Sequence, residues 1–116
     1  MQRGQVFDAR LEPVEGSEQG GTRPVIIVSR DAINANSPVV LAVPCTTHRP
    51  HRKVYPTQVL ISAGEAGLIN DSIAMADQVR VLSKQRLLKL RGTLTPKSLN
   101  QLEQALLIAL DLPGQS

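Results

Sequence analysis

Aromatic side chains are nearly missing from this 116-residue chain: it has no tryptophan, and Phe7 and Tyr55 are the whole set. A row of flat rings on which successive single-stranded bases could stack is therefore poorly provided for. Cys45 is the single cysteine, so no internal disulfide can form, and one thiol with His48 and His51 falls short of a structural zinc set. A reducing cytoplasm fits that usage. No apolar run approaches the ~18 residues of a membrane span, and Met1-Gln2-Arg3-Gly4 leads straight into strand-like sequence without an apolar leader core. Neither secretion nor membrane insertion is expected. A Walker loop, a dinucleotide fingerprint and a nucleophile elbow are all lacking.

What is present fits one domain spanning 1–116, with 41% hydrophobic and 20% charged residues. At this size the core is modest and dimerisation would add stability. Thirteen Lys and Arg against ten Asp and Glu leave a net charge of +3, a mild bias toward an anionic partner.

Read in order, Gln5 to Leu11 alternates, with Phe7, Ala9 and Leu11 opposite Asp8 and Arg10, as a half-buried strand does. Glu12 to Arg23 is a long glycine-punctuated loop that delivers Arg23, locked against Pro24, to the edge of the scaffold. Pro24 to Arg30 and Pro38 to Cys45 are β-branched, almost unbroken apolar runs, the composition of strands covered on both faces. Asp31 to Ser37 between them predicts one helical turn, and Thr46 to Pro56 a second polar loop. Thr57 to Ser62 alternates, Gly64 and Gly67 break the pattern, and Ser72 to Asp77 with Val79 to Leu82 read as one bent strand or two. Leu88 to Leu94 sets Leu88 and Leu90 against Lys89 and Arg91. Thr95 as cap, Pro96 at the first position and Leu99, Leu102, Leu106 and Leu110 at helical spacing mark a C-terminal helix, ended by Pro113 and Gly114. The class is mainly β plus α: six or seven short strands in a small barrel or sandwich, closed by that helix.

Candidate chemistry is unevenly supported. His48 and His51 lie on a basic loop without a nearby carboxylate, a poor metal site, and Cys45 ends a core-like strand with no oriented His–Asp partner, a structural thiol. Arg49, Arg52 and Lys53 cluster in the second loop, while Arg80, Lys84, Arg86, Lys89, Arg91 and Lys97 run without an intervening acid. Together with the loop bearing Arg23 they leave room for a polyphosphate ligand.

Several stretches together resemble the MazF/PemK family of toxin endoribonucleases, from Arg3 to about Leu112. They are Arg3-Gly4, Gly16-Ser17-Glu18-Gln19-Gly20-Gly21-Thr22-Arg23-Pro24 with Val25-Ile26-Ile27-Val28-Ser29, Pro44-Cys45-Thr46-Thr47, Asp71-Ser72, Asp77-Gln78-Val79-Arg80 and Gly92-Thr93-Leu94. The resemblance implies an SH3-like barrel with an added helix, a homodimer, and sequence-specific, metal-independent cleavage of single-stranded mRNA that leaves 2′,3′-cyclic phosphate and 5′-hydroxyl ends. It implies no cofactor, and a MazE-like antitoxin whose C-terminal segment covers the RNA groove. The family's functional arginine, threonine and loop glutamate match Arg23, Thr46 and Glu18. Gln5 and Phe7 stand where family members often carry an acid and tryptophans.

The residues suit that chemistry. In cyclising cleavage the substrate's own 2′-hydroxyl attacks phosphorus, so the protein needs only to align groups, move two protons and offset phosphoryl charge. Arg23 offers a charged fork of donors as electrostatic stabiliser or acid, Thr46 a hydroxyl from a packed strand end, and Glu18 either accepts the 2′-hydroxyl proton or orients Arg23. Gln19, Thr47, Arg49, Arg52 and Lys53, with Gln78 and Arg80, are the candidates for gripping RNA. Gln78 carries both donor and acceptor for a base edge, while Arg80 could equally anchor the fold. Two rivals remain: a gyrase-poisoning toxin on the same barrel without catalysis, and a passive RNA-binding barrel.

Overall fold

The computed structural model describes residues 1–11 and 21–114, so Glu18 and Gln19 lie outside the described residues. In chain order the elements are β1 (Gln5–Arg10), β2 (Thr22–Ile27), α1 (Asp31–Asn36), β3 (Val39–Thr47), β4 (Gln58–Ile61), β5 (Ser72–Met75), β6 (Arg80–Ser83), β7 (Leu87–Thr93) and α2 (Pro96–Leu110). Short 3-10 turns occupy Glu65–Gly67, Ala76–Gln78 and Lys84–Arg86. Every strand pair is antiparallel; the ladder runs β4-β5-β3-β2-β1-β7, with β6 joined to β3 beside β5. The mainly β class with a C-terminal helix holds, but the ladder does not come full circle, so the sheet is not a closed barrel. Among the described residues no helix is long and apolar enough to cross a membrane.

The unbroken apolar runs have a direct cause. Ile26 and Val28 join Val6, Val43 and Cys45 in one apolar layer, while Val25 and Ile27 join Ala9, Leu11, Val40, Ala42 and Leu82 in another. Successive side chains of a strand point to opposite faces, so a strand buried twice must be apolar at every position. Leu102 and Ala105 of α2 complete the first layer, with Leu99 and Leu106 packed against it. Thr95 starts that helix by accepting the Ser98 N–H at 3.2 Å, and Asp111 ends it in a left-handed conformation at φ 54°. Leu110 was counted on the apolar stripe, yet it is exposed, because the helix outruns the core.

Three boundaries depart from the sequence reading, each through pairing. β2 begins at Thr22 rather than Pro24, because β1 supplies partners to Thr22 and Arg23 at Arg10 and Ala9. β3 continues to Thr47, since β5 offers Ile73 and Ser72 to Thr46 and Thr47. Arg23 and Thr46 are thus strand residues, not loop residues. The 72–82 segment resolves into two strands, both on β3, hinged by the turn at Ala76–Gln78.

On β7 the expected alternation breaks down. Leu88 and Leu90 are exposed, whereas Arg91 is half-buried, donating from Nη1 to Asp8 Oδ1 at 3.0 Å and from Nε and Nη2 to the Gly67 carbonyl at 3.1 and 2.7 Å. The register against β1 slips twice, between Val6 and Phe7 and between Asp8 and Ala9, which lets the strand turn its cation inward. Gly92 permits the contact: a Cβ there would meet the Ala66 carbonyl carbon at 2.7 Å and its Cα at 2.9 Å, both backbone. Gly92→Ala is therefore expected to lower stability by about 1–3 kcal/mol, seen in urea unfolding as a lower midpoint with an unchanged slope.

Candidate active site

The register between β2 and β3 pairs Val25 with Pro44, Ile26 with Val43 and Ile27 with Ala42. Carried two residues further, it sets Arg23 opposite Thr46, and paired residues in a ladder point to the same face. The side chains do meet: Arg23 Nη1 donates to Thr46 Oγ1 at 3.5 Å. The bond is at the long limit, so a third oxygen could enter and tighten it. Because Oγ1 accepts here, the Thr46 hydroxyl hydrogen is left to donate to a ligand.

This pair forms part of a cleft of about 230 Å³ whose other walls include Thr22, Thr47, Leu68, Ile69, Asn70 and Arg91. A second cleft, of about 380 Å³, lies on the other side of Thr46 and is lined by Arg52, Lys53, Tyr55, Gln58, Ile73, Met75 and Gln78. Thr46 is the wall common to both, so the two read as one furrow across the end of β3. The loop after β3 reaches the second cleft by a tight turn: Arg49 C=O accepts the Arg52 N–H at 2.9 Å, with Pro50 at the position where a fixed φ suits it.

Of the candidate residues, Arg23, Thr46 and Thr47 come together in the first cleft, and Thr46, Arg52, Lys53 and Gln78 in the second. Arg49 is exposed on the turn and Arg80 stands on β6 opposite Ala42; neither lines either cleft. The acid-free basic run is not one surface. Lys84 Nζ donates to the Asn34 carbonyl at 2.6 Å, Arg86 Nη1 to the Arg10 carbonyl at 3.0 Å, and Arg91 to Asp8 and Gly67, so three of its cations tie the fold. Sequence reasoning missed Tyr55 and Gln58, which flank a Pro56 turn, and the 68–70 segment walling the first cleft. The Tyr-Pro pair was the available signal for the former. Among the described residues no three of His, Cys, Asp and Glu gather as metal ligands.

The chain is thus a mainly β protein that sets an arginine fork beside a strand-end hydroxyl, in a furrow edged by further cations. Residues 2–110 match the family model described as the PemK-like, MazF-like toxin of type II toxin–antitoxin systems. The chain is 40% identical to Endoribonuclease MazF9 of Mycobacterium tuberculosis, with 97% of this chain and 98% of that protein covered. It is also 40% identical to Endoribonuclease MazF of Staphylococcus saprophyticus, over 97% of this chain and 92% of the other. A solved mycobacterial endoribonuclease in complex with its cognate antitoxin superposes with a TM-score of 0.80 at 32% identity, covering 97% of each chain. The chain belongs to the PemK/MazF toxin family.

Cys45 belongs to the lining of the first cleft, yet it is a core residue. Its side chain is fully buried in the first apolar layer, and desolvation pushes the thiol up to about 12 from 9.0. The native protein should resist thiol-directed alkylation at pH 8 and react once unfolded. The folded state holds this proton where the unfolded chain releases it, so stability should fall as pH rises from about 9 toward 12, and Cys45→Ala should flatten that limb of a pH-stability profile.

Proposed function

We propose that this endoribonuclease toxin cuts single-stranded mRNA in the furrow centred on Arg23 and Thr46, using the substrate's 2′-hydroxyl as nucleophile and no metal ion. The observation that supports it is the 3.5 Å contact from Arg23 Nη1 to Thr46 Oγ1 in an open cleft. A phosphoryl group seated there receives the guanidinium fork and the Thr46 hydroxyl hydrogen together. Charge builds on its non-bridging oxygens as the 2′-oxygen attacks, and donors already aimed at that place need no reorganisation. The P–O5′ bond then breaks, leaving a 2′,3′-cyclic phosphate and a 5′-hydroxyl. Arg23 acts as electrostatic stabiliser, or as the acid that protonates the leaving oxygen. Glu18, outside the described residues, takes the 2′-hydroxyl proton or orients Arg23, and Gln19 belongs to the same segment.

Arg52, Lys53, Gln78 and Thr47 would line the path of the strand on either side of Thr46, with Arg49 and Arg80 as outlying cations. The whole of 1–116 works as one domain, in a homodimer, in the cytoplasm where mRNA is found. A MazE-like antitoxin silences it by laying its C-terminal segment over the furrow, denying RNA the donors it needs.

Incubating purified protein with a long single-stranded RNA in EDTA, then mapping new 5′ ends and testing 3′ termini for the cyclic phosphate, checks the reading. Arg23→Ala and Thr46→Ala should each lower the cleavage rate by roughly 10²–10³, with unchanged melting curves. Intact RNA with folded wild-type protein, or full activity in Arg23→Ala, would overturn it. Independently, Arg52→Ala should reduce the slope of log binding constant against log salt by about 0.7, the share of one phosphate contact on a single strand.

A further inference from the structure

The second cleft holds an aromatic ring that the catalytic chemistry does not use. Tyr55 is 53% exposed, whereas Phe7 packs against the second apolar layer, which makes Tyr55 the exposed ring of the pair. It stands at one end of a proline turn whose other end is Gln58. The Gln58 N–H donates to the Tyr55 carbonyl at 2.9 Å, and the Tyr55 N–H donates back to Gln58 Oε1 at 3.1 Å. That second bond fixes which way the carboxamide points, because an amide NH₂ could not accept it. The oxygen is held by the backbone, so the NH₂ end is the donor left over. Lys53 Nζ lies 5.2 Å from the ring centroid, and Ile73 and Met75 add apolar surface to the same cleft.

We infer that this cleft is a base-reading subsite next to the scissile phosphate, selecting a keto base, uracil or guanine, over an amino base. The inference rests on the nuclease reading of the Arg23–Thr46 cleft. A nucleobase stacks on Tyr55 and its carbonyl oxygen accepts from the Gln58 amide. Arg52 and Lys53 can only donate and Gln58 has its donor end left over, so beside Gln78 and Thr46, which can donate or accept, these three make donors the majority of the polar lining next to the ring. Uracil and guanine present carbonyl oxygens where cytosine and adenine carry amino groups, and an amino group facing these donors would leave both sides unpaired. The shared Thr46 wall places this base in the nucleotide adjoining the bond that is cut.

The test is cleavage of a randomised single-stranded RNA pool, read by sequencing the ends, alongside rates on single substrates for wild type, Tyr55→Leu, Tyr55→Phe and Gln58→Glu. Wild type should enrich uracil or guanine at one position beside the cut. Tyr55→Leu should lose about 5–100-fold in kcat/KM, and Tyr55→Phe, which keeps the ring, should recover most of it. Gln58→Glu turns the offered group into an acceptor and should move the preference at that one position toward cytosine or adenine. Melting curves establish that the variants fold, as expected of side chains at the surface. A wild type that cuts with no keto preference beside the scissile bond, or a Tyr55→Leu variant that cuts the same sites at the same rate, overturns the subsite and leaves the nuclease standing. Intact RNA in the wild-type lane overturns both.

Discussion

β3 carries partners on both edges, and its register is the constraint from which the site follows. One edge takes β2; the other takes β6 along Val39 to Ala42 and β5 along Cys45 to Thr47. A slip of one residue against β2 would send every apolar side chain of a doubly buried strand into the wrong layer, so the core itself forbids the slip. The same register places Arg23 across from Thr46. The geometry of the Arg23–Thr46 pair is thus enforced by residues such as Val25, Ile26 and Val43, which are wholly buried in the core. A hydroxyl at the end of such a strand is held more firmly than one on a loop, which suits a donor that must be in place before charge develops.

Charge counting alone misplaces the functional surface. Lys84, Arg86 and Arg91 donate to backbone carbonyls and Asp8, linking β7 and the turn at Lys84–Arg86 to α1, β1 and the turn at Gly67. A guanidinium with three donors engaged by protein has little left for phosphate, although it counts equally toward the net charge of +3. Arg91 nonetheless shapes the first cleft: by clamping the Gly67 carbonyl it fixes the start of the segment whose Leu68, Ile69 and Asn70 form the wall facing Arg23. The cations that remain beside the furrow, Arg52 and Lys53, come from a loop with no ladder to satisfy.

Much of this was legible in the chain, for identifiable reasons. The two apolar runs announced central strands because burial on both faces leaves no polar position, and Thr95-Pro96 announced the helix because its cap is local chemistry. Arg23 and Thr46 were legible through the motifs around them, but their shared strand face was not, since it depends on the β2–β3 register and on β1 and β5 extending both strands to these positions. Nor was the half-burial of Arg91 and exposure of Leu88 and Leu90, because two register slips disrupt an alternation that reads normally in one dimension. Gln58 escaped notice for a related reason. Its direction is set by a backbone N–H three residues away, a contact created by the turn at Pro56.

Scarcity of aromatic rings argues against coating single-stranded nucleic acid, but it weighs less against cutting it. Proteins that coat single strands need successive rings because each base must be held alike, without reference to a fixed point. An enzyme that cuts at chosen sequences has a fixed point in the phosphate it attacks. On the proposed reading Arg23 and Thr46 locate that phosphate, and one neighbouring ring at Tyr55 with one oriented amide at Gln58 would examine a base whose position is already set. Affinity is then supplied by cations and the reacting centre, and discrimination by few contacts. Two aromatic residues, one of them packed against the core, suffice for a nuclease of this kind where they would not for a coating protein.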